Sequence, residues 1–554
     1  MAWSSFATGL NPGGHGIFDF LHRDTSDYSI DFSIAEQLPP ETISLLGMEI
    51  PTSDGALVNR RQGQPFWLKA EHEGLRVAAM RVPVTYPVDP ITHMLAGMGV
   101  PDLLGTQGTY TLIANHRIAA AESGGRVLMV RTSPDGSVQT ELEGPNSPSS
   151  GKPMTVPVHI RADGDGVRLK LDGQEIALKP QQWSEWLTVR FRFLGLGSVD
   201  GMVRARLVSG FPRMRLYLTP IHVDPRSPAL PISAPAHDAE HLAETIGVFH
   251  TLGMPEETWS MNQDHLDEAA WLDSVKTTLA EGEAMLKHRL AANDSDIIIE
   301  TFVQPDRVSH MFWRGRDTGH PLHAESSDLA RSAIDWIYGE ADRIVGETRA
   351  ALAPEDRLIL LSDHGFSDYR RSAQVNRWLL EQGFLTLKPG ARESGPLFAE
   401  VDWTQTRAYA MGLNGIYVNQ VGREAQGIVK AEDKAALLAD IAARITTCQD
   451  PEHQQQVVLR ASLATDAYQG ASSGDAPDLI VGFNRGYRAS WQTSLGGVPA
   501  VLVEDNLQKW SGDHCVAPEL VPGVLLTSFP LTQPVDGIGA VGALILSEAK
   551  RPSP

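Results

Sequence analysis

A chain of 554 residues is long enough for about two to four domains and a sizeable buried core. Its 47 basic and 68 acidic residues leave a formal charge of −21, which excludes a general nucleic-acid binder. The two cysteines, Cys448 and Cys515, are far apart and exclude a disulfide scaffold or a cysteine zinc cluster.

The chain starts in a helix-compatible stretch, Met1 to Thr8, without the Ser, Thr, Asp or Asn that usually caps a helix. Ser4, Ser5 and Thr8 read as ordinary helix residues, and His15 in "NPGGHGI" reads as a loop-ordering hydrogen-bonding group. No charged segment followed by an apolar core is present, so no signal peptide is legible and the compartment stays open. No apolar run approaches the roughly 20 residues that span a bilayer.

Residues 106–220 change texture. "VPVHIRADGDGVRLKLDGQEIALK" alternates around Asp163-Gly164 and Asp172-Gly173, with Val167, Leu169 and Leu171 on one face and Arg168 and Lys170 on the other. Alternation broken by Asp-Gly predicts antiparallel hairpins, and "WLTVRFRFL" and "MVRARLVSGFPRMRLYLTPI" continue it. The Pro-rich "HVDPRSPALPISAPAHD" reads as a linker.

Beyond it, "DIIIETFV", "DRLILLSDHGF" and "APDLIVGF" are short apolar runs suited to buried parallel strands. Between the first two, Leu329, Ala333, Ile334, Ile337, Ala341, Ile344 and Val345 recur at helical spacing, with Ser326 or Ser327 as cap. A second helix falls in "KAEDKAALLADIAARITTC". The alternation predicts an α/β fold, a mostly parallel sheet flanked by helices. Its expected bounds are 1–105 and 221–554, interrupted by the antiparallel β-rich segment 106–220.

Three segments set Asp and His just after apolar runs, where open α/β sheets build their sites. Asp306 and His310 are four apart, one turn on one face of a helix. Asp363 and His364 end an apolar run, and Gly365 would ease a turn that aims both to one side. His514 lies in a Gly-flanked loop. Singly each is an ordinary polar position; together, carboxylate and imidazole donors suit zinc or manganese and phosphoryl chemistry.

In this order, "PDRVSHMFW", "LSDHGF" and "SGDHCVAPELVPGVLLTS" resemble the alkaline phosphatase superfamily, in its type I phosphodiesterase/nucleotide pyrophosphatase branch. "WSSFATGLNPGGHGIFDF", "FWLKAEHEGLRVAAMRVPVTYP", "GMGVPDLLGTQGTYT" and "NGIYVNQVGREAQGIV" resemble a bacterial subgroup of it. The resemblance implies an alkaline-phosphatase-like fold and a phosphoric ester hydrolase using two divalent metal ions, zinc or manganese. Asp306, His310 and His514 would form the first metal site, and Asp363 and His364 would contribute to the second. His15, Asp317, His320 and His323 are candidates for supporting positions around them.

The family's Thr or Ser nucleophile sits at the start of a helix whose later part reads like "SSFATGLNPGGHGI", so the expectation is a nucleophile just before Met1 and an N-terminally incomplete chain. The competing expectation is a catalytically inactive relative that binds metal or ligand. A sulfatase reading lacks the C/S-x-P-x-R context, and a metal-dependent phosphoglycerate mutase would carry an α/β insertion. The expected partner is a small phosphoester; Trp183, Trp186, Trp313 and Phe312 are potential stacking surfaces whose default reading is core. Substrate and oligomeric state are not legible.

Overall fold

The fold is described from a computed structural model covering all residues except 39–41, 46–47, 52–55, 148–149, 194–196 and 551–554. The last residue of the expected strand "WLTVRFRFL", Leu194, lies outside the described residues. The chain divides into two compact units: Met1–Lys69 with Val308–Pro554, and Ala70–Arg307.

In the first unit, helix α1 (Ala2–Thr8) has no side-chain cap, as its sequence predicts, and ends at Gly9 in the left-handed region. It buries Phe6, whose ring meets Phe66 edge-on at 5.3 Å. Helix α2 spans Gln304–Phe312. Helix α3 (Asp328–Ala351) is capped by Ser327, whose hydroxyl accepts from the Ala330 amide at 3.0 Å. Ala333, Ile334, Ile337 and Ile344 form its buried stripe, as the spacing predicts.

Five strands of this unit position the site: β1 (Ile359–Leu361), β2 (Ser367–Ala373), β3 (Gly486–Ala489), β4 (Gly512–Asp513) and β5 (Leu525–Thr527). β2 pairs parallel with β3 and antiparallel with β4, and β1 pairs antiparallel with β5. The run "APDLIVGF" supplies Leu479–Phe483, which lies in an antiparallel sheet with Gly415–Val418 and Val458–Leu463. The expected single, mostly parallel sheet is therefore several sheets, only some of whose pairs are parallel. Apolar runs report burial on two faces; strand direction is set by the connections, which composition does not record. A hydrophobic core of the unit packs on this antiparallel sheet, around Leu379, Phe384, Tyr409, Ile416, Ile441 and Phe483.

In the second unit, "DIIIETFV" supplies Ile297–Glu300, parallel to Val77–Val82, which is also parallel to His93–Ala96. The alternating segment forms the hairpins Pro153–Asp163, Gly166–Leu171 and Gln174–Leu178. At the second turn Asp172 and Gly173 both have positive φ, the backbone that a two-residue hairpin of this twist demands. Val167, Leu169 and Leu171 are fully buried on one face. One pair departs from the alternation's implication: Gly125–Met129 runs parallel to Tyr110–Ala114.

Glu257 is buried in this unit, accepting from the Ser260 amide at 2.7 Å and the Tyr217 hydroxyl at 3.1 Å. Burial pushes its carboxyl up to about 7 from 4.5, outweighing those hydrogen bonds. The fold thus favours the protonated acid. Its contribution to stability is full below the unfolded value and is lost as pH rises through about 7. Glu257→Gln has no such titration and is expected to flatten the pH slope of unfolding free energy by on the order of 3 kcal/mol between about pH 5 and pH 8. Denaturant titrations at the two pH values check this; an unchanged slope would refute the burial account.

Candidate metal centre

Helix α2 carries Asp306 in its first turn and His310 in its last, where the helix dipole favours an acid and a base respectively. Ligand atoms of Asp306, His310 and His514 lie within 4.8 Å of one another. The Nδ1 of His310 donates to the Gly512 carbonyl at 2.7 Å, so in the neutral ring the lone pair is at Nε2. Its ring stacks on Trp510 at 3.8 Å. The Ser511 amide donates to the His310 carbonyl at 2.7 Å, binding the 511–512 loop to the end of α2. A Cβ on Gly512 would sit 2.6 Å from the Ser309 carbonyl oxygen and 2.8 Å from Trp313, so only glycine permits this approach.

Asp363 and His364 follow β1. His364 donates from Nδ1 to the Gly365 carbonyl at 2.9 Å, and its Nε2 lies 3.3 Å from Asp363 Oδ2. The rings of His364 and His514 stack at 3.5 Å, which sets the second pair beside the three-residue group. Gly365 serves differently from the expectation. Its φ is not in the left-handed region; instead a Cβ there would sit 2.9 Å from the Pro522 carbonyl oxygen. Phe366 packs against all three imidazoles, with centroids 4.9–5.6 Å from those of His310, His364 and His514. Aromatic composition alone does not single it out.

A second group, Asp513, His514 and Cys515, also has ligand atoms within 4.8 Å. Asp513 is an acid the sequence reading passes over, although it precedes His514 directly. Burial acts to raise its carboxyl, but Arg488, His310 and His514 outweigh that and hold it far below the usual carboxylate range. Burial, then Asp513, push the Cys515 thiol well up. The Met1 amino group is lowered by burial and opposed by Asp19, Asp363 and Cys515, so the start of α1 lies within electrostatic reach of Asp363.

The remaining candidates have other engagements. His15 accepts at Nδ1 from the Ile17 amide and bonds Ser5 through Nε2 at 3.1 Å; burial lowers it to about 3. Asp317 takes a two-pronged bond from Arg370 at 2.7 and 2.8 Å. His320 accepts from the Leu322 amide, and burial lowers it to about 4. His323 donates to the Arg314 carbonyl at 2.7 Å. Phe312 is fully buried, Trp313 stacks on Phe366, Trp183 meets Tyr217 edge-on, and Trp186 packs on His222 and His250.

Two imidazoles and a carboxylate, one imidazole with its tautomer fixed, make a donor set that fits zinc or manganese. The family described as type I phosphodiesterase / nucleotide pyrophosphatase matches residues 1–138 and 230–505, roughly three quarters of the chain. The chain belongs to this family. It is a branch of the alkaline phosphatase superfamily whose members hydrolyse phosphoesters and typically depend on metal. The match includes Asp306, His310, Asp363 and His364 and stops short of His514. No curated protein sequence matches the chain. Among the described residues, no helix is long and apolar enough to cross a membrane.

Replacing His310 by Ala removes one of three converging donors. Zinc retained after dialysis is expected to fall from about one ion per chain or more to near zero, a loss beyond the roughly 100-fold that outer-shell changes cost. Retention equal to the unaltered chain would exclude His310 as a ligand.

Proposed function

We propose that this chain is a metal-dependent hydrolase of small phosphoric esters, mono- or diester, working with two divalent ions, zinc or manganese. Asp306, His310 and His514 would hold the first ion, and Asp363 and His364 would contribute to the second. What supports the reading is convergence: donors from residues 306–310 and 514 gather in one group, and the 363–364 pair stacks against it, in a chain of this family. A bound divalent ion supplies Lewis acidity and a nucleophile deprotonated near neutral pH. The chain's own residues set the frame. Gly512 holds the His310 tautomer, Trp510 fixes the ring plane, and Phe366 fills the apolar side of the imidazole cluster. Residues 106–220 are proposed as a β-rich insertion into the catalytic fold of 1–105 and 221–554.

One observation favours a second reading, a relative that holds metal or ligand without turnover. Within α1, Ser5 bonds His15 and Thr8 donates to the Ser4 carbonyl at 2.8 Å, in keeping with ordinary helix residues and not with the attacking hydroxyl that the resemblance expects just before Met1. Turnover separates the two. The chain loaded with zinc or manganese is expected to release chromophore from a generic phosphomonoester or phosphodiester, and Asp306→Asn and His514→Ala to fall to background. Metal uptake without any turnover, both by this chain and by one extended upstream of Met1, establishes the second reading; neither uptake nor turnover overturns both.

A further inference from the structure

Behind the candidate ligands lies a buried ion pair. Arg488 on β3 and Asp513 on β4 are each 1% exposed, and β2, hydrogen-bonded to both strands, brings them together. Asp513 Oδ2 lies 2.7 Å from Arg488 Nε and accepts from the Trp510 indole at 2.9 Å. Its Oδ1 accepts from the His514 amide at 2.8 Å and the Cys515 amide at 2.9 Å. Three hydrogen bonds and the Arg488 ion pair therefore converge on this one carboxylate. Asp513 lies within ligand distance of His514 and Cys515, and both of its oxygens are already engaged by these protein groups.

Each of these partners bears on the centre. The amide of His514 fixes the backbone of that imidazole. Trp510 carries the ring on which His310 stacks, and the carbonyl of Gly512, next to Asp513, takes the His310 proton. Stability alone is a weak reason for such a pair, because well-packed apolar residues often replace buried ion pairs without loss. Direction is what apolar residues do not supply.

We propose that Asp513, anchored by Arg488, is the positioning residue of the metal centre, holding the His514 backbone and the Trp510 indole so that both imidazoles stand pre-oriented for one ion. The inference rests on the metal-dependent reading above. Outer-shell partners of this kind typically change metal affinity 10–100-fold when removed.

Zinc binding to the full chain by calorimetry, paired with thermal unfolding, tests it. Asp513→Asn is expected to weaken zinc binding by about 10–100-fold. Trp510→Phe keeps a ring against His310 but loses the indole N–H; it is expected to weaken binding by a smaller factor at an unchanged melting temperature. The double variant Arg488→Met/Asp513→Leu leaves no unpaired buried charge, so it is expected to regain the melting temperature lost in Asp513→Asn while zinc binding stays weak. Recovery of zinc affinity together with stability in the double variant would show a purely structural role and overturn the proposal. So would unchanged zinc affinity in a folded Asp513→Asn or Trp510→Phe chain. An unaltered chain that binds neither zinc nor manganese overturns the metal-dependent reading itself and this inference with it, whereas normal binding by the unaltered chain and the variants alike overturns only the inference.

Discussion

A carboxylate taken out of water must find donors, and the Asp513 carboxylate is the one on which the centre hangs. Desolvation of an isolated carboxylate is costly by many kcal/mol, and a protein answers either by protonating the group or by surrounding it with donors. Here Arg488, an indole and two amides surround it. Because three of those donors belong to the same loop, residues 510–515, satisfying one charge folds the whole loop. The loop then has a single arrangement in which His514 and Trp510 can stand.

The loop is also pinned from the other side. Its 511–512 backbone bonds the last turn of α2, and the missing side chain at Gly512 allows that contact. The segment after it runs back along β1: the Gly365 amide donates to Val521 and the Ser362 amide to Val524, leading into the β1–β5 pairing. Asp363 and His364 thus come beside His514 through backbone pairing between segments about 160 residues apart in sequence. The stacked imidazoles follow from that pairing.

Local features were legible in the sequence because their causes are local. The α3 stripe, the Ser327 cap, the Asp172-Gly173 turn and the one-turn spacing of Asp306 and His310 are set by neighbours within a few residues. What the sequence did not disclose depends on contacts between distant strands. The pairing of Arg488 with Asp513 needs β3 and β4 both to flank β2, and nothing in "GYRA" or "SGDH" records that. The antiparallel course of Leu479–Phe483 and of β1 was hidden for the same reason. Phe366 was hidden too, since an aromatic residue after His-Gly reads as core until three imidazoles are found around it. The family match ends at residue 505, so the third donor, His514, rested on the resemblance of its own loop.

The two cysteines acquire a use from their surroundings. Burial pushes Cys448 up to about 11 and Cys515 well above the ordinary thiol value, so at neutral pH both sulfurs are held as thiols. Alkylating reagents react with thiolates, so both sulfurs, although partly exposed, are expected to label slowly at neutral pH. Cys448 follows the helix Ala431–Ile445 at the edge of the apolar core, whereas Cys515 lies in the loop that Asp513 organises. The two sulfurs therefore report on separate places in one molecule, one at the edge of the core and one beside His514, and an ion seated at His514 would alter the surroundings of only the second.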